Sequence, residues 1–398
     1  MNIRFGLKEA REIQSYLIGE WMRFLLFAFK YIWVRLPVWM GWRDLSEKTY
    51  LFLPINGAGL GHLSRSLSVA KNLKERQPDA KIIFLTTSVG VHLVVRNGFI
   101  CHHVPPFKLA GNELSHLRWN RLFYDFVLST MRAYRVGTLV FDGSIPYLGL
   151  QRILRSCKGV RTFWIRRGLY KAPLNGSRLY KFKRLFSRVI VPGEFSLETG
   201  QSPVVAENEY LIAPVVGLNR QNIFSVEEAC RRLRLDPLRP RAYVQLGAGN
   251  INDIYELQER VVRLLRAQGI QVAVGRSPIS ISPQPSASAD CEIIDFPNSQ
   301  YFGFFNFAVL AGGYNSVCEA IALGLPAIII PNTDTDLDDQ MLRARNAEAM
   351  GPYICMPVFD ERVLVESIQY FSSPEVSRWQ SPVASGADEA VDLLLSRV

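Results

Sequence analysis

Three groups of side chains in this chain have the types and spacing to do chemistry. The first is His62, which closes the turn Ile55-Asn-Gly-Ala-Gly-Leu-Gly-His62 just before a helix. The alternate glycines, Gly59 and Gly61 among them, let backbone fold tightly over a ligand at a helix amino terminus, where free N–H groups favour an anion. A histidine there can take a proton from a hydroxyl nucleophile, or it can serve as a cap or structural hydrogen bond. The second is Asp142, at the carboxyl tip of the apolar run Thr138–Phe141. It can act as a base, orient a substrate, or form an Asp-Gly turn with Gly143. The third lies between Leu310 and Gly351. There Gly312-Gly313 allow a tight turn, Asn315 or Ser316 can cap the next helix, and Glu319 points away from the apolar face of Val317, Ala320 and Ile321. An acidic loop from Asp334 to Asp339 then leads into a helix containing Gln340.

Positioning these groups requires strands that end where the turns begin. Thr49–Pro54, Lys81–Leu85, Phe99–Val104, Thr138–Phe141, Val160–Ile165 and Val189–Pro192 are short apolar or β-branched runs, as buried parallel strands are. Helical patterns at Leu63–Leu73, Val89–Arg96 and within Leu109–Tyr134 fall between them. The pattern then restarts: strand Ala242–Leu246, glycine turn Gly247-Ala-Gly249, and a helix over Ile254–Ala267. Strands at Gln271–Val274, Glu292–Asp295, Ala308–Leu310 and Ala327–Ile330 follow, with helices at Arg362–Phe371 and Glu389–Leu395. The same strand-turn-helix unit opens both halves, which predicts an α/β chain of two Rossmann-like domains facing across a cleft. The expected divisions are an amphipathic segment 1–45, a first domain 46–216, a second domain 217–371, and a segment 372–398 returning to the first domain.

The chain has 398 residues, 48% of them apolar and 21% charged, which suits a globular protein of two domains. Its net charge is +10, and 12 Lys or Arg with no acidic residue lie between Gln151 and Ile190. Such density points to an anionic partner, namely a membrane surface, a phosphorylated substrate or nucleic acid, or else to a solvated basic face. The six cysteines include no CxxC pair and read as free thiols in a reducing compartment. The five histidines form no metal motif. Asp334, Asp336, Asp338 and Asp339 lack EF-hand spacing and read as a solvated helix-entry loop.

No signal peptide is legible, and the segment Glu20–Trp42, EWMRFLLFAFKYIWVRLPVWMGW, is the unusual feature of the amino end. Arg23, Lys30 and Arg35 interrupt any uncharged span, so an interfacial amphipathic helix with Trp21, Trp33, Trp39 and Trp42 at headgroup depth is expected. The alternative is a helix packed on a partner protein, a second copy or the second domain. No RNA-binding module accompanies the basic segment, which favours a membrane over nucleic acid. The expected location is cytoplasmic and peripheral, on the cytoplasmic face of the membrane.

These residues resemble the glycosyltransferases of the GT-B architecture, in particular the MurG-like group, which includes the lipid II GlcNAc transferases and the diacylglycerol galactosyltransferases. Gly59-Leu-Gly-His62 is similar to the first glycine loop of that group and Gly247-Ala-Gly249 to the second. The specific likeness is the ordered series Gly313-Tyr-Asn-Ser-Val-Cys-Glu319, Gly324-Leu-Pro326, Pro331, Asp338-Asp-Gln340 and Gly351. The resemblance implies direct displacement at the anomeric carbon of a UDP-sugar by an acceptor hydroxyl, with inversion and with neither metal nor organic cofactor. It assigns Glu319 to the ribose hydroxyls, where a carboxylate can accept two bonds. It also assigns Ser316 and the Gly313 backbone, beside Asn315, to the diphosphate, and Asp339 and Gln340 to the sugar. Gly247 and Gly249 would approach the phosphates and Ile294 the uracil, while His62 would be the acceptor-side base. Tyr314 and Arg343 depart from the pattern, leaving the sugar open. Epimerases and hydrolases acting on sugar nucleotides share the fold, and a non-catalytic binding protein would retain it too. The segment Gly143–Gly193 lacks the acids an epimerase would need.

Overall fold

A computed structural model describes residues 21–22, 45–55, 59–111, 114–171, 181–196, 204–206, 208–218, 220–247, 255–279, 285–335, 337–373, 376, 382 and 385–396. The strands are β1 (Ser46–Pro54), β2 (Lys81–Thr86), β3 (Ile100–His103), β4 (Val136–Asp142), β5 (Arg161–Ile165), β6 (Arg188–Pro192), β7 (Val204–Ala206) and β8 (Glu209–Ile212) in one sheet. A second sheet holds β9 (Arg241–Gln245), β10 (Gln271–Gly275), β11 (Cys291–Ile293), β12 (Phe307–Ala311), β13 (Ala327–Ile330) and β14 (Tyr353–Cys355). Their orders are β3-β2-β1-β4-β5-β6-β8-β7 and β11-β10-β9-β12-β13-β14, and every pairing is parallel except β7 on β8. The chain thus builds the Rossmann order twice, and has the two-domain GT-B fold.

Continuous apolar sequence is what makes these strands central. Every residue of β4 is buried, and so are Thr49–Pro54 of β1, because helices cover both faces. Trp119 stacks on Phe123 at 5.2 Å below one face of the first sheet, and Phe52 on Phe84 at 5.3 Å above the other. The helix Leu148–Ser156 and the antiparallel strand β7 have no counterpart in the sequence reading. The first was hidden by the basic composition of its segment, the second by a polar stretch that reads as a loop.

Chain order reverses between β1 and β4 in one sheet and between β9 and β12 in the other. Ligands of doubly wound sheets bind at such points, beyond the carboxyl ends of the strands. Register makes the juxtaposition concrete: Pro54 pairs with Asp142, and Leu310 pairs with Gln245. The turn before His62 therefore opens beside Asp142, and Gly247 opens beside Gly312-Gly313.

The helix Gly386–Leu395 lies on the first sheet's side. Asn72 donates to Asp388 at 2.6 Å, Arg76 pairs with Asp392 at 2.7 Å, and Ala390, Val391 and Leu394 join the apolar layer containing Leu63 and Leu67. Of the segment Glu20–Trp42 only Trp21 and Met22 fall within the described residues, and both are exposed. No helix among the described residues is long and apolar enough to cross a membrane.

Candidate active site

His62 is the second residue of the helix Gly61–Arg76, with its ring 14% exposed. Its Nδ1 lies 2.6 Å from Oδ1 of Asp142, which is completely buried. The carboxylate also accepts from Arg65 twice, Nε to Oδ2 at 3.0 Å and Nη2 to Oδ1 at 2.5 Å, and from Ser66 Oγ at 3.2 Å. An ionised carboxylate only accepts, so the hydrogen between the two groups sits on Nδ1 and leaves Nε2 as the free acceptor. Burial lowers the His62 pKa and outweighs the opposite pull of Asp142. The Asp142 carboxyl is penalised by burial, but Arg65 and His62 hold it below the usual carboxylate range.

Asp142 meets four protein donor atoms, from His62, Arg65 and Ser66, and has no exposed surface. Trp164 Nε1 donates to Gly143 O at 2.8 Å and Ile55 N to Asp142 O at 2.8 Å, which fixes the strand end. Arg65 and Ser66, one turn beyond His62, were missed. Their spacing of three and four from a candidate base on one helix was the signal available.

On the other side of the cleft, the helix Tyr314–Leu323 begins at Gly313, and no side chain caps it. Asn315 and Ser316 lie inside the first turn, so neither caps the helix; its first N–H groups stay open for an anion. Gly312 is pressed against Gln340: a Cβ there would come within 2.9 Å of Gln340 Cβ, which accounts for glycine. Gly247 follows β9 with φ +110°, a backbone shape side chains resist, and has open space around it. Gly59 and Gly61 likewise border open space. Gly249 lies outside the described residues.

Glu319 is partly buried, and desolvation raises its carboxyl to about 7, against a smaller pull from the neighbouring Ser299 hydroxyl. That hydroxyl is buried. A Cβ on Gly217 in the connection between the sheets would lie 3.8 Å from Glu319 Oε1 and 3.2 Å from Ser68 Oγ, so both sheets' helices border this carboxylate. The remaining candidates are not equally free. Asp339 caps the helix Gln340–Met350 by accepting from Leu342 N at 2.9 Å. Gln340 is buried, accepts from Asn332 N at 3.0 Å and donates to Asp338 at 3.4 Å. Ile294 lies just past β11 and is 62% exposed.

The basic segment is not one solvated face. Arg161 and Arg188 donate to Leu394 O and Leu393 O at the end of the last helix, while Arg166 and Lys183 hold the buried Glu209. Arg167 pairs with Asp338 at 3.0 Å, and Lys171 donates to Thr335 O at 2.7 Å, so these two bridge to the second sheet's loops. Among the described residues no three His, Cys, Asp or Glu converge as a metal site would need.

No protein-family model matches the chain. It is 25% identical over 323 residues to the UDP-N-acetylglucosamine–N-acetylmuramyl-(pentapeptide) pyrophosphoryl-undecaprenol N-acetylglucosamine transferase of Desulforudis audaxviator strain MP104C, covering 75% of this chain and 83% of that one. Among solved structures it is similar to the glycotransferase of kitacinnamycin, with TM-score 0.60 and 14% identity over 87% of this chain and 98% of that one. It is similar also to Acinetobacter baumannii MurG, with TM-score 0.55 and 14% identity over 87% of this chain and 99% of that one. With the doubled Rossmann order and a cleft lined from both sheets, these likenesses make the chain a glycosyltransferase of the GT-B fold, related to the MurG-like enzymes.

Proposed function

We propose that this enzyme transfers a sugar from a UDP-sugar to a hydroxyl of a lipid-linked or membrane-associated acceptor, with inversion, in the synthesis of an envelope glycan or glycolipid. Residues 46–216 form the acceptor domain and residues 217–371 the donor domain. The relatives' names supply the donor class, and the site geometry supports the chemistry. His62 Nε2 takes the proton from the acceptor hydroxyl as its oxygen bonds to the anomeric carbon. The bond from that carbon to the diphosphate breaks with its electron pair, and UDP leaves. The open N–H groups at Gly313–Ser316 and the Gly247 turn face the charge that develops on the diphosphate. Glu319 accepts from the ribose hydroxyls, Asp339 and Gln340 border the sugar, and the apolar surface at Ile294 borders the base.

One observation carries the reading: the base pair and the donor helix meet. Arg65, bonded to Asp142, lies 5.7 Å from the ring centroid of Tyr314, the first residue of the uncapped helix. The proposed base and the amino terminus of the proposed donor helix thus flank one cleft, as direct displacement requires. Attachment to the cytoplasmic face of an anionic membrane through residues 20–42 would bring a lipid-borne acceptor to the cleft.

The test is a screen of UDP-sugars for binding and for UDP release, with and without a membrane lipid extract. One sugar should bind, and its turnover should depend on the extract. Failure of every UDP-sugar to bind, or equal turnover without acceptor, overturns the proposal.

A further inference from the structure

The Arg65 side chain is only 6% exposed, so it is not a residue that meets solvent-borne substrate. Its fork grips both oxygens of Asp142, and Nη2 stands 3.2 Å from His62 Nδ1. One flank of the guanidinium lies on the ring of Tyr314, and the Arg343 guanidinium lies 5.6 Å from the centroid of that ring. The ring cannot swing away, because its hydroxyl accepts from Val215 N at 3.0 Å and donates to Gly193 O at 3.2 Å. Tyr314 also begins the helix whose N–H groups face the donor.

A buried carboxylate beside an imidazole favours the protonated ring, against the opposing effect of burial. A bidentate cation on the same carboxylate opposes this. The charged and titratable groups acting on His62 are Asp142, Arg65 and Arg167, and those acting on Arg65 include Tyr314 and Tyr170. Burial acts most strongly on the ring, and beside it two cations oppose one anion.

We infer that Arg65 is a positioning residue that keeps His62 neutral and aimed, and that Tyr314 makes this setting depend on how the donor helix is seated. The inference rests on the reading of His62 as the base, but it concerns the resting state of the ring and is measured without turnover.

The chain has five histidines, few enough for a titration by ¹³C-histidine NMR, with His62→Gln assigning the resonance. In Arg65→Met the His62 midpoint should rise by about one pH unit or more. In Arg65→Lys, which keeps the charge but not the fork, it should rise by less. Adding UDP to the wild type should move the His62 resonance, and Tyr314→Leu should abolish most of that response while leaving His92, His102 and His116 unmoved. If Arg65→Met does not fold, Arg65→Lys and Tyr314→Leu still decide. A His62 midpoint unchanged in the Arg65 variants makes Arg65 a plain counter-charge and overturns the first half. An intact UDP response in Tyr314→Leu overturns the second. If His62→Gln turns over a UDP-sugar at the wild-type rate, the base reading fails, a result separate from either NMR outcome.

Discussion

Arg343 of the second unit grips Glu194 of the first through two hydrogen bonds, Nε to Oε2 at 2.8 Å and Nη2 to Oε1 at 2.7 Å. The same guanidinium donates to Gly312 O at 2.8 Å and to Asp338 at 2.9 Å, and Asp338 in turn pairs with Arg167. Arg343 is 2% exposed, so the fork is a buried charge whose partners come from both sides of the cleft. Removing it takes the fork from the nearly buried Glu194, while Asp338 keeps Arg167. Arg343→Met should therefore destabilise by about 3–5 kcal/mol, whereas the double variant with Glu194→Gln should recover part of that loss. Denaturant unfolding of the four proteins of this cycle measures the coupling; additive losses would show that the pair does not bind the units together.

Glu319 and its surroundings set a pH dependence. Its carboxyl is raised to about 7, and in the role proposed for it the charged form is the one that accepts two ribose hydroxyls. UDP affinity should fall as pH drops from 8 to 6, and Glu319→Gln should bind weakly at both values and lose most of that slope. The linkage in the empty protein has the opposite sense. A carboxyl whose folded pKa lies above its unfolded value binds its proton more tightly when folded, so stability falls as pH rises from about 4.5 to about 7. Glu319→Gln should thus be more stable than the wild type at pH 8, by about 1–2 kcal/mol, and no more stable at pH 4. Calorimetry of UDP binding together with thermal melts at the two pH values checks both signs.

Asp142→Asn separates orientation from binding. The amide can no longer hold the Nδ1 hydrogen as an ion does, so acceptor-dependent UDP release should fall by about 10²–10⁴-fold while UDP affinity is retained. In the wild type, the His62 pKa below its ordinary 6.5 places the acid limb of the rate profile below neutrality. Loss of UDP binding in this variant would mean that Asp142 supports the whole cleft rather than the base.

How much was legible depended on whether a residue's role is local. The two sheets follow from runs such as Tyr50–Pro54 and Ala327–Ile330, whose continuous apolar sequence suits only a strand covered on both faces. His62 and Glu319 were visible because a turn or helix start announces them. Arg65, Glu194 and Ser299 were not, since each acts on a group far away in sequence: Arg65 on Asp142, Glu194 on Arg343, and Ser299 beside Glu319. Tyr314 and Arg343 stood out only as departures from a motif. In three dimensions they lie against each other on the second unit and both reach across the seam, Tyr314 to Gly193 and Arg343 to Glu194.

Membrane attachment is where the basic segment and the aromatic segment can be told apart. Arg161 and Arg188 of the segment 151–190 hold the last helix, Arg166 and Lys183 hold Glu209, and Arg167 and Lys171 reach the second sheet's loops. Cations engaged in this way have less to offer an anionic lipid, because each would have to leave a partner first. Binding should then rest on residues 20–42, with their four tryptophans and interrupting cations. A protein lacking residues 1–42 should fail to sediment with vesicles of about one-third anionic lipid while still binding UDP. Lys181→Glu with Arg184→Glu in the full chain should reduce sedimentation by less than twofold. Undiminished sedimentation of the shortened protein would transfer the membrane role to the folded domains.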